Sequence, residues 1–329
     1  MKEFLFIALL TFIFLSCRKE DTASKTPDTK KDTAIMQEDG KKKAEIKKDT
    51  LVPAGGNNDK KNSMKYAVSK YFTPVLYTKD FSSVYGGRDG KTLKRAKNGL
   101  IKELEYVAYP GNVFEILEEY KHKDHSIYKV FTKEYDVRDL NIDLYIDSRF
   151  VETSEQKPEE RKILPASKED IYKYFDKSVG ALYVWGANNL DGVEKMAEYY
   201  PPSGKLSEKE NNEWIMRGVD CSGLLYEATN GYTARNTHEL VYFGDAVKIE
   251  GKSASQITAM IEPLDIIVWK GHVILVYDEN NTIESSKSAG GVVKKNLLSV
   301  IKNVMSGRTA VNEWNDNGGK QFVIRRWFK

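Results

Sequence analysis

The segment Asp220-Cys-Ser-Gly-Leu-Leu-Tyr-Glu-Ala228 decides the fold of the second half of the chain. It follows a polar loop, continues in good helix formers and stops at Asn230-Gly231, a pair that ends helices. Asp220 is well placed as an N-cap, so Cys221 is expected in the first helical turn. There, unpaired backbone N–H groups and the helix dipole favour a thiolate and can also hold an oxyanion. The segment therefore predicts a nucleophile at the start of a helix.

A thiol needs a proton acceptor in order to become a thiolate, and the position of each histidine indicates which of them can be that base. The chain has four, His122, His125, His238 and His272. His272 follows the apolar stretch Pro263–Gly271, predicted as a strand with a tight turn, and begins a second strand, Val273–Tyr277. That position is rigid but open, which favours His272 as the base. His238 is the alternative base, although its polar surroundings are more typical of a surface or substrate-loop residue.

Glu284 is the candidate third member of the site. Asp278–Asn281 has the composition of a hairpin tip, and the midpoint between His272 and Glu284 falls at Asp278. A hairpin centred there brings the two side chains together, so that the carboxylate can orient and charge-stabilise the imidazole. A turn centred two residues later separates the pair, and Glu284 is then an ordinary strand residue.

Three motifs, in the same order along the chain, carry a family resemblance. Tyr183-Val-Trp-Gly-Ala187 resembles the Tyr-x-Trp-Gly-Gly element of the NlpC/p60 cell-wall cysteine peptidases, Asp220-Cys-Ser-Gly223 resembles their nucleophile motif, and Pro263–Val273 resembles their histidine strand. The resemblance covers about residues 167–329. It implies an α+β, papain-like domain, with its helix packed on an antiparallel sheet, and neither a metal nor an organic cofactor.

The resemblance also assigns two kinds of site residue: the catalytic residues Cys221, His272 and Glu284, and the substrate-binding residues Tyr183, Asp220 and Ser222. The implied reaction is hydrolysis of peptidoglycan stem peptides through an acyl-enzyme, at the bond from γ-D-glutamate to a diamino acid.

Two positions depart from the family pattern. Ala187 replaces the second glycine, and Glu284 stands where histidine is common. A carboxylate at the third position also occurs in the related CHAP amidases, so a CHAP-like amidase acting on cell-wall peptides is the alternative enzyme. A non-catalytic wall-binding lipoprotein is the alternative outside enzymes.

The N-terminus has the pattern of an export signal. Lys2 precedes the apolar run Phe4–Leu15, which is too short to span a bilayer but suits a secretory signal. The run ends in Ser16-Cys17, which resembles a lipobox, with Phe14 in place of the usual leucine. Residues 1–17 are therefore interpreted as a lipoprotein signal with Cys17 lipidated, and an ordinary signal peptide is the alternative. Cys221 is then a lone thiol in an exported protein, either buried or reactive.

Composition divides the rest of the chain. Residues 18–65 contain no aromatic residue and are predicted to be a disordered tether. Residues 66–152 carry short β-rich runs, such as Val113–Leu117 and Ser126–Phe131, and resemble the bacterial SH3-like barrels that accompany wall hydrolases. Residues 153–166 are a proline-containing linker before the peptidase domain at 167–329, which holds all five tryptophans and so is expected to have the larger core.

The charge distribution limits the classes of binding partner that the sequence predicts. A net charge of +3 with acids and bases interspersed gives no sign of nucleic-acid binding. A metal at the predicted hairpin tip His122–His125 is less favoured than two solvated histidines. The expected partners are peptidoglycan stem peptides and, through the lipid, a bacterial membrane, with the protein a monomer on the periplasmic face or the cell surface.

Overall fold

The structure, a computed structural model, describes residues 65–87 and 89–329 of the chain. The predicted signal, Cys17 and nearly all of the tether lie outside the described residues. The described part has a mixed α/β fold and belongs to one compact unit.

Residues 65–154 form mainly an antiparallel sheet. Their strands are β1 Lys65–Ser69, β2 Thr73–Leu76, β3 Tyr85–Gly86, β4 Thr92–Leu93, β5 Leu104–Ala108, β6 Val113–Lys121, β7 Ser126–Phe131, β8 Leu144–Asp147 and β9 Val151–Ser154, with a short helix α1 at Phe81–Val84. Seven of these strands pair in the order β5-β2-β8-β7-β6-β1-β9, and β3 pairs with β4. Single 3₁₀ turns lie at Lys133–Tyr135, Arg138–Leu140 and Ser148–Phe150. The strands predicted at 113–117 and 126–131 are confirmed, and β6 and β7 join at the expected His122–His125 tip.

The remainder forms a second sheet with helices around it. Its helices are α2 Lys168–Ser178, α3 Lys195–Tyr199, α4 Glu208–Trp214, α5 Cys221–Ala228, α6 Thr237–Leu240, α7 Ala254–Thr258 and α8 Leu297–Gly307. Its strands are β10 Asn188–Asn189, β11 Gly218–Val219, β12 Asp245–Ala246, β13 Ile266–Trp269, β14 His272–Val276, β15 Asn281–Ser286, β16 Gly291–Asn296, β17 Thr309–Ala310 and β18 Gln321–Arg326. The main sheet runs β12-β18-β13-β14-β15-β16, β17 pairs with β18, and β10 pairs with β11.

Local sequence explains where α5 begins and how it is held. The Asp220 side chain accepts a hydrogen bond from the Gly223 N–H at 2.6 Å, which confirms the predicted N-cap. Leu224 and Leu225 are fully buried, in the same apolar core as Val273 and Leu275 of β14. Burial of each such leucine contributes roughly 1.5–3 kcal/mol, so the helix is anchored on the strand that His272 begins.

The segment that precedes α5 packs on the first sheet. Val184, Ala187 and Trp214 share a core with residues of β5 and its neighbours. Asn188 both accepts from the Val107 N–H at 3.0 Å and donates to the Val107 carbonyl at 2.9 Å. Strand β5 is thereby fixed next to the loop that leads to Cys221.

Candidate active site

Cys221 occupies the first position of α5. Its side chain is buried, and it is a free cysteine of the described part of the chain. A helix leaves the N–H groups of its first turn without intrahelical partners, so the N–H groups of Cys221 and Ser222 are placed to receive negative charge. The structure thus puts the thiol where the sequence predicts it.

His272 and Glu284 are brought together. Their Nε2 and Oε2 atoms are 2.6 Å apart. The hairpin register differs from the expected one: Leu275 pairs with Ile283, which centres the turn on Glu279 rather than Asp278. Continued along the strands, that register places Glu284 diagonal to His272 instead of directly opposite, and the diagonal contact still joins them.

The protonation of this pair follows from its neighbours. Burial lowers the pKa of His272, but hydrogen bonds to Cys221 and then to Glu284 outweigh it and raise that pKa to about 10. Burial raises the pKa of Glu284, but the contacts with His272 and Lys295 outweigh it and hold that pKa at about 2. With Nε2 engaged by Glu284, Nδ1 is the ring nitrogen left for the thiol. The imidazole is therefore kept as imidazolium between a sulfur and a carboxylate at neutral pH.

Asp220 and Ser222, predicted to bind substrate, lie in a buried network around Arg235. The guanidinium pairs with Asp220 at 2.9 Å and donates to Ser222 Oγ at 2.9 Å and to Asn188 Oδ1 at 3.0 Å. Asp220 also accepts from the Gly186 N–H at 3.0 Å. These contacts fix the start of α5 against the 186–188 loop.

Arg235 is a site residue that sequence reasoning missed. It lies three residues before His238, in a polar stretch. An arginine 15 positions after its partner has no helical or strand spacing that would have marked it. Only the structure shows its importance, because the guanidinium has nearly no exposed surface and makes a bidentate contact with Asp220.

Tyr183 is largely buried and lies close enough to Cys221 for the two groups to interact electrostatically. Burial, and after it the charge of Cys221, raises the pKa of Tyr183 well above its usual value. The phenol therefore stays neutral beside the sulfur and can act as a hydrogen-bond donor.

His238 stands apart from the thiol. It lies in α6 with its side chain exposed at the surface, and partial desolvation of the ring and then the charge of Lys270 lower its pKa. The neighbouring Thr237 accepts a hydrogen bond from the Gly271 N–H at 2.8 Å, which fixes the turn just before His272. Helix α6 therefore holds the turn that precedes His272.

The first sheet contributes groups that the sequence did not indicate. The Tyr135 hydroxyl donates to Glu105 Oε2 at 2.9 Å. The pKa of Glu105 is raised, first by burial, while this hydrogen bond and then Arg235 act in the opposite direction. The ammonium of Lys102 lies 3.5 Å from the centre of the Trp185 ring. The side chains of these residues form a charged and aromatic surface, here called the wall, near the Asp220–Arg235 pair.

The remaining histidines form no site with the thiol. The rings of His122 and His125 stack with centroids 4.9 Å apart, and His125 Nδ1 lies 2.9 Å from Asp124. Across residues 65–87 and 89–329 no group of three His, Cys, Asp or Glu side chains could hold a metal ion. In that same part of the chain no helix is both long and apolar enough to cross a membrane.

Comparisons with known proteins give similar solved structures at low identity. The peptidoglycan hydrolase RipB from Mycobacterium tuberculosis is 21% identical, with a TM-score of 0.30 over 49% of this chain and 64% of that one. An NlpC/P60 family protein from Bacillus cereus is 14% identical, with a TM-score of 0.30 over 82% and 65% of the two chains. The P60 domain of an antigen from M. avium subspecies paratuberculosis is 20% identical, with a TM-score of 0.28 over 49% and 95%.

The aligned part spans less than two thirds of the length of the first two proteins. No protein-family model and no curated protein matches the chain. At these TM-scores the similarities carry no part of the functional argument, which rests on the site itself.

Proposed function

We propose that the chain is a thiol hydrolase and, more specifically, a cysteine peptidase of the NlpC/p60 type that acts on peptidoglycan stem peptides. The single observation that carries the proposal is the array of Cys221 at a helix start, His272 beside it, and Glu284 bonded to that histidine at 2.6 Å. A structural cysteine would need neither the histidine nor the carboxylate.

The geometry supports a two-step mechanism. The Cys221 sulfur attacks the carbonyl carbon of the peptide bond, and the first-turn N–H groups of α5 stabilise the resulting oxyanion. As the intermediate collapses, the His272 imidazolium gives its proton to the leaving amine and the carbon–nitrogen bond breaks. His272, now neutral, takes a proton from a water molecule, which attacks the thioester. The acid is released, and thiolate and imidazolium are restored.

The substrate class follows from the motif resemblance. Peptides containing the bond from γ-D-glutamate to a diamino acid are the expected substrates, with the CHAP-like amidase reaction as the alternative. Residues 66–152 are proposed to be an SH3-like domain that restricts the enzyme to short, trimmed stem peptides. The position of Glu105 near the Asp220–Arg235 pair supports this role, because a wall so close to the nucleophile limits what can extend past it.

Mass analysis of products from defined wall peptides tests the reaction. Cleavage between γ-D-glutamate and the diamino acid supports the proposal, whereas separation of peptide from glycan identifies the amidase. A protein that binds wall fragments and yields no product, under conditions where Cys221 is reduced, would be the non-catalytic lipoprotein. Glu105→Ala should also weaken the preference for short peptides over intact wall, and an unchanged preference would remove that role from the first sheet.

The proposed location is a bacterial membrane, on its periplasmic face or at the cell surface, with the chain held there by lipid on Cys17. The supporting observation is the apolar run before that cysteine. Cys17→Ala should shift the protein from the membrane fraction to the soluble fraction. An unacylated N-terminus at or beyond residue 17 in protein purified from membranes would contradict the proposal.

A further inference from the structure

Glu284 has a second partner that lies outside the thiol, imidazole and carboxylate array. Lys295 of β16 pairs with Thr282 and is therefore diagonal to Glu284 across the β15–β16 ladder. Its Nζ lies 2.6 Å from Glu284 Oε1, while the other oxygen, Oε2, is 2.6 Å from His272 Nε2. Each carboxylate oxygen thus has its own cation, and the two contacts come from the strands on either side of β15.

This arrangement limits the freedom of the carboxylate. A buried carboxylate with a single contact can rotate and can become protonated, because burial penalises its charge. The Glu284 side chain is 6% exposed, and Lys295 supplies a positive charge from a side chain that is 42% exposed. A fixed second contact keeps Oε2 directed at the imidazole and keeps the group ionised.

We propose that Lys295 is a positioning residue of the active site, which directs the Glu284 carboxylate at His272 and partly neutralises the charge of that carboxylate. This inference rests on the proposed function. With Lys295 present, the Glu284–Lys295 pair is close to neutral, so the carboxylate orients the imidazole without holding its proton as tightly as a lone negative charge would.

Other charged groups lie near the imidazole, among them Arg308, whose guanidinium is 4.3 Å from the centre of the Trp269 ring, which in turn lies 5.3 Å from the His272 ring. His272 faces Cys221 from α5 and Glu284 from β15. Cys221 also interacts electrostatically with Tyr183 and with Arg235, whose charge is balanced by its pairing with Asp220. Lys295 is thus the cation on the Glu284 side of the imidazole.

The neighbouring Lys294 provides a matched control. It is adjacent on β16 and points to the opposite face, where its Nζ is 2.8 Å from Asp176 and 3.5 Å from the centre of the Tyr277 ring. Lys294→Met removes the same charge from the same strand without touching Glu284. Lys295→Arg keeps a cation that can reach the carboxylate.

A double-mutant cycle on the full chain tests the inference. Lys295→Met should lower kcat/KM at pH 7 about 10-fold in the wild-type background but less than about 2-fold in the Glu284→Ala background, where no carboxylate remains to be aimed. Lys295→Arg should recover most of the rate, and Lys294→Met should have the same small effect in both backgrounds. If turnover in Glu284→Ala is too slow, the rate of Cys221 alkylation by iodoacetamide is measured instead.

The pH profile gives a readout that a purely structural role would not move. In the Glu284→Gln background, Lys295→Met should move the alkaline limb of kcat/KM upward by roughly 0.5–1 pH unit, because a cation near the imidazolium has been removed. Equal losses in both cycle backgrounds, or an alkaline limb no different from that of Lys294→Met, would overturn the inference. Cys221→Ala is assayed alongside. If Cys221→Ala stays active, the proposed function is wrong. If Cys221→Ala is inactive and Lys295→Met behaves like Lys294→Met, only the proposed role of Lys295 is wrong.

Discussion

The imidazole of His272 meets the carboxylate of Glu284 diagonally across the β14–β15 ladder, with 2.6 Å between Nε2 and Oε2. Glu284 reaches Lys295 by the same kind of diagonal across the next ladder. Three adjacent strands thus contribute one residue each to a line of hydrogen-bonded side chains that ends at the Cys221 thiol. The contacts depend on sheet register, since a slip of one residue would turn a side chain to the other face.

Cys221→Ala should fold normally and lose at least ~10³-fold in kcat/KM, because the nucleophile is removed and no other group can form the acyl-enzyme. The substitution removes a buried sulfur, so circular dichroism and thermal unfolding serve as the fold control. In the native protein, iodoacetamide should modify Cys221 selectively, as shown by peptide mass mapping. Full activity in Cys221→Ala, or no modification of Cys221, would exclude the mechanism.

Glu284→Gln should move the alkaline limb of kcat/KM to lower pH. The negative charge of Glu284 helps to raise the pKa of His272 to about 10, so the imidazolium persists below that pH and is lost above it. Glutamine keeps a hydrogen-bond acceptor but not the charge, so the pKa of His272 falls and the active ion pair is lost at lower pH.

Glu284→Ala separates orientation from charge. It should show the same shift of the alkaline limb together with a larger loss of rate at neutral pH, since nothing then directs the ring. If Glu284→Gln has a normal rate and an unchanged alkaline limb, Glu284 is an ordinary strand residue and another group orients His272.

Arg235→Met should destabilise the fold by about 3–5 kcal/mol, because it leaves the buried Asp220 carboxylate without its cation. Urea unfolding followed by fluorescence measures the change. The double variant with Asp220→Asn should recover part of the stability, since the uncompensated charge is then gone. An Arg235→Met protein as stable as the wild type would show that the network does not hold the start of α5.

A fragment that begins at Ser167 should fail to unfold cooperatively. Trp214 is 1% exposed and lies edge-on to Tyr85, with ring centroids 6.3 Å apart, so removal of the first sheet uncovers a large apolar surface. Binding of a hydrophobic dye and differential scanning calorimetry would detect this. A sharp transition close to that of the full chain would show that residues 167–329 fold alone.

Local sequence was sufficient to predict several elements of the site. Asp220 followed by helix formers predicts a capped helix, and the apolar runs on either side of His272 predict two strands, because capping and strand pattern depend on neighbours within a few residues. The same local patterns indicated roles for Cys221 and His272, and the family resemblance added the substrate class and the roles of Tyr183 and Ser222. The spacing from His272 also indicates Glu284, although that spacing predicts a turn centred on Asp278 and the structure centres it on Glu279.

The sequence by itself thus determined the helix that begins at Cys221 and the strand that begins at His272, whereas the tertiary structure decided what surrounds them. Arg235, Lys295 and Glu105 reach the site from different elements, through contacts that no local spacing records. The physical reason is that sheet register and the packing of the first sheet against the 184–216 segment are set by the whole buried core. Side chains distant in sequence become neighbours only once that core has formed.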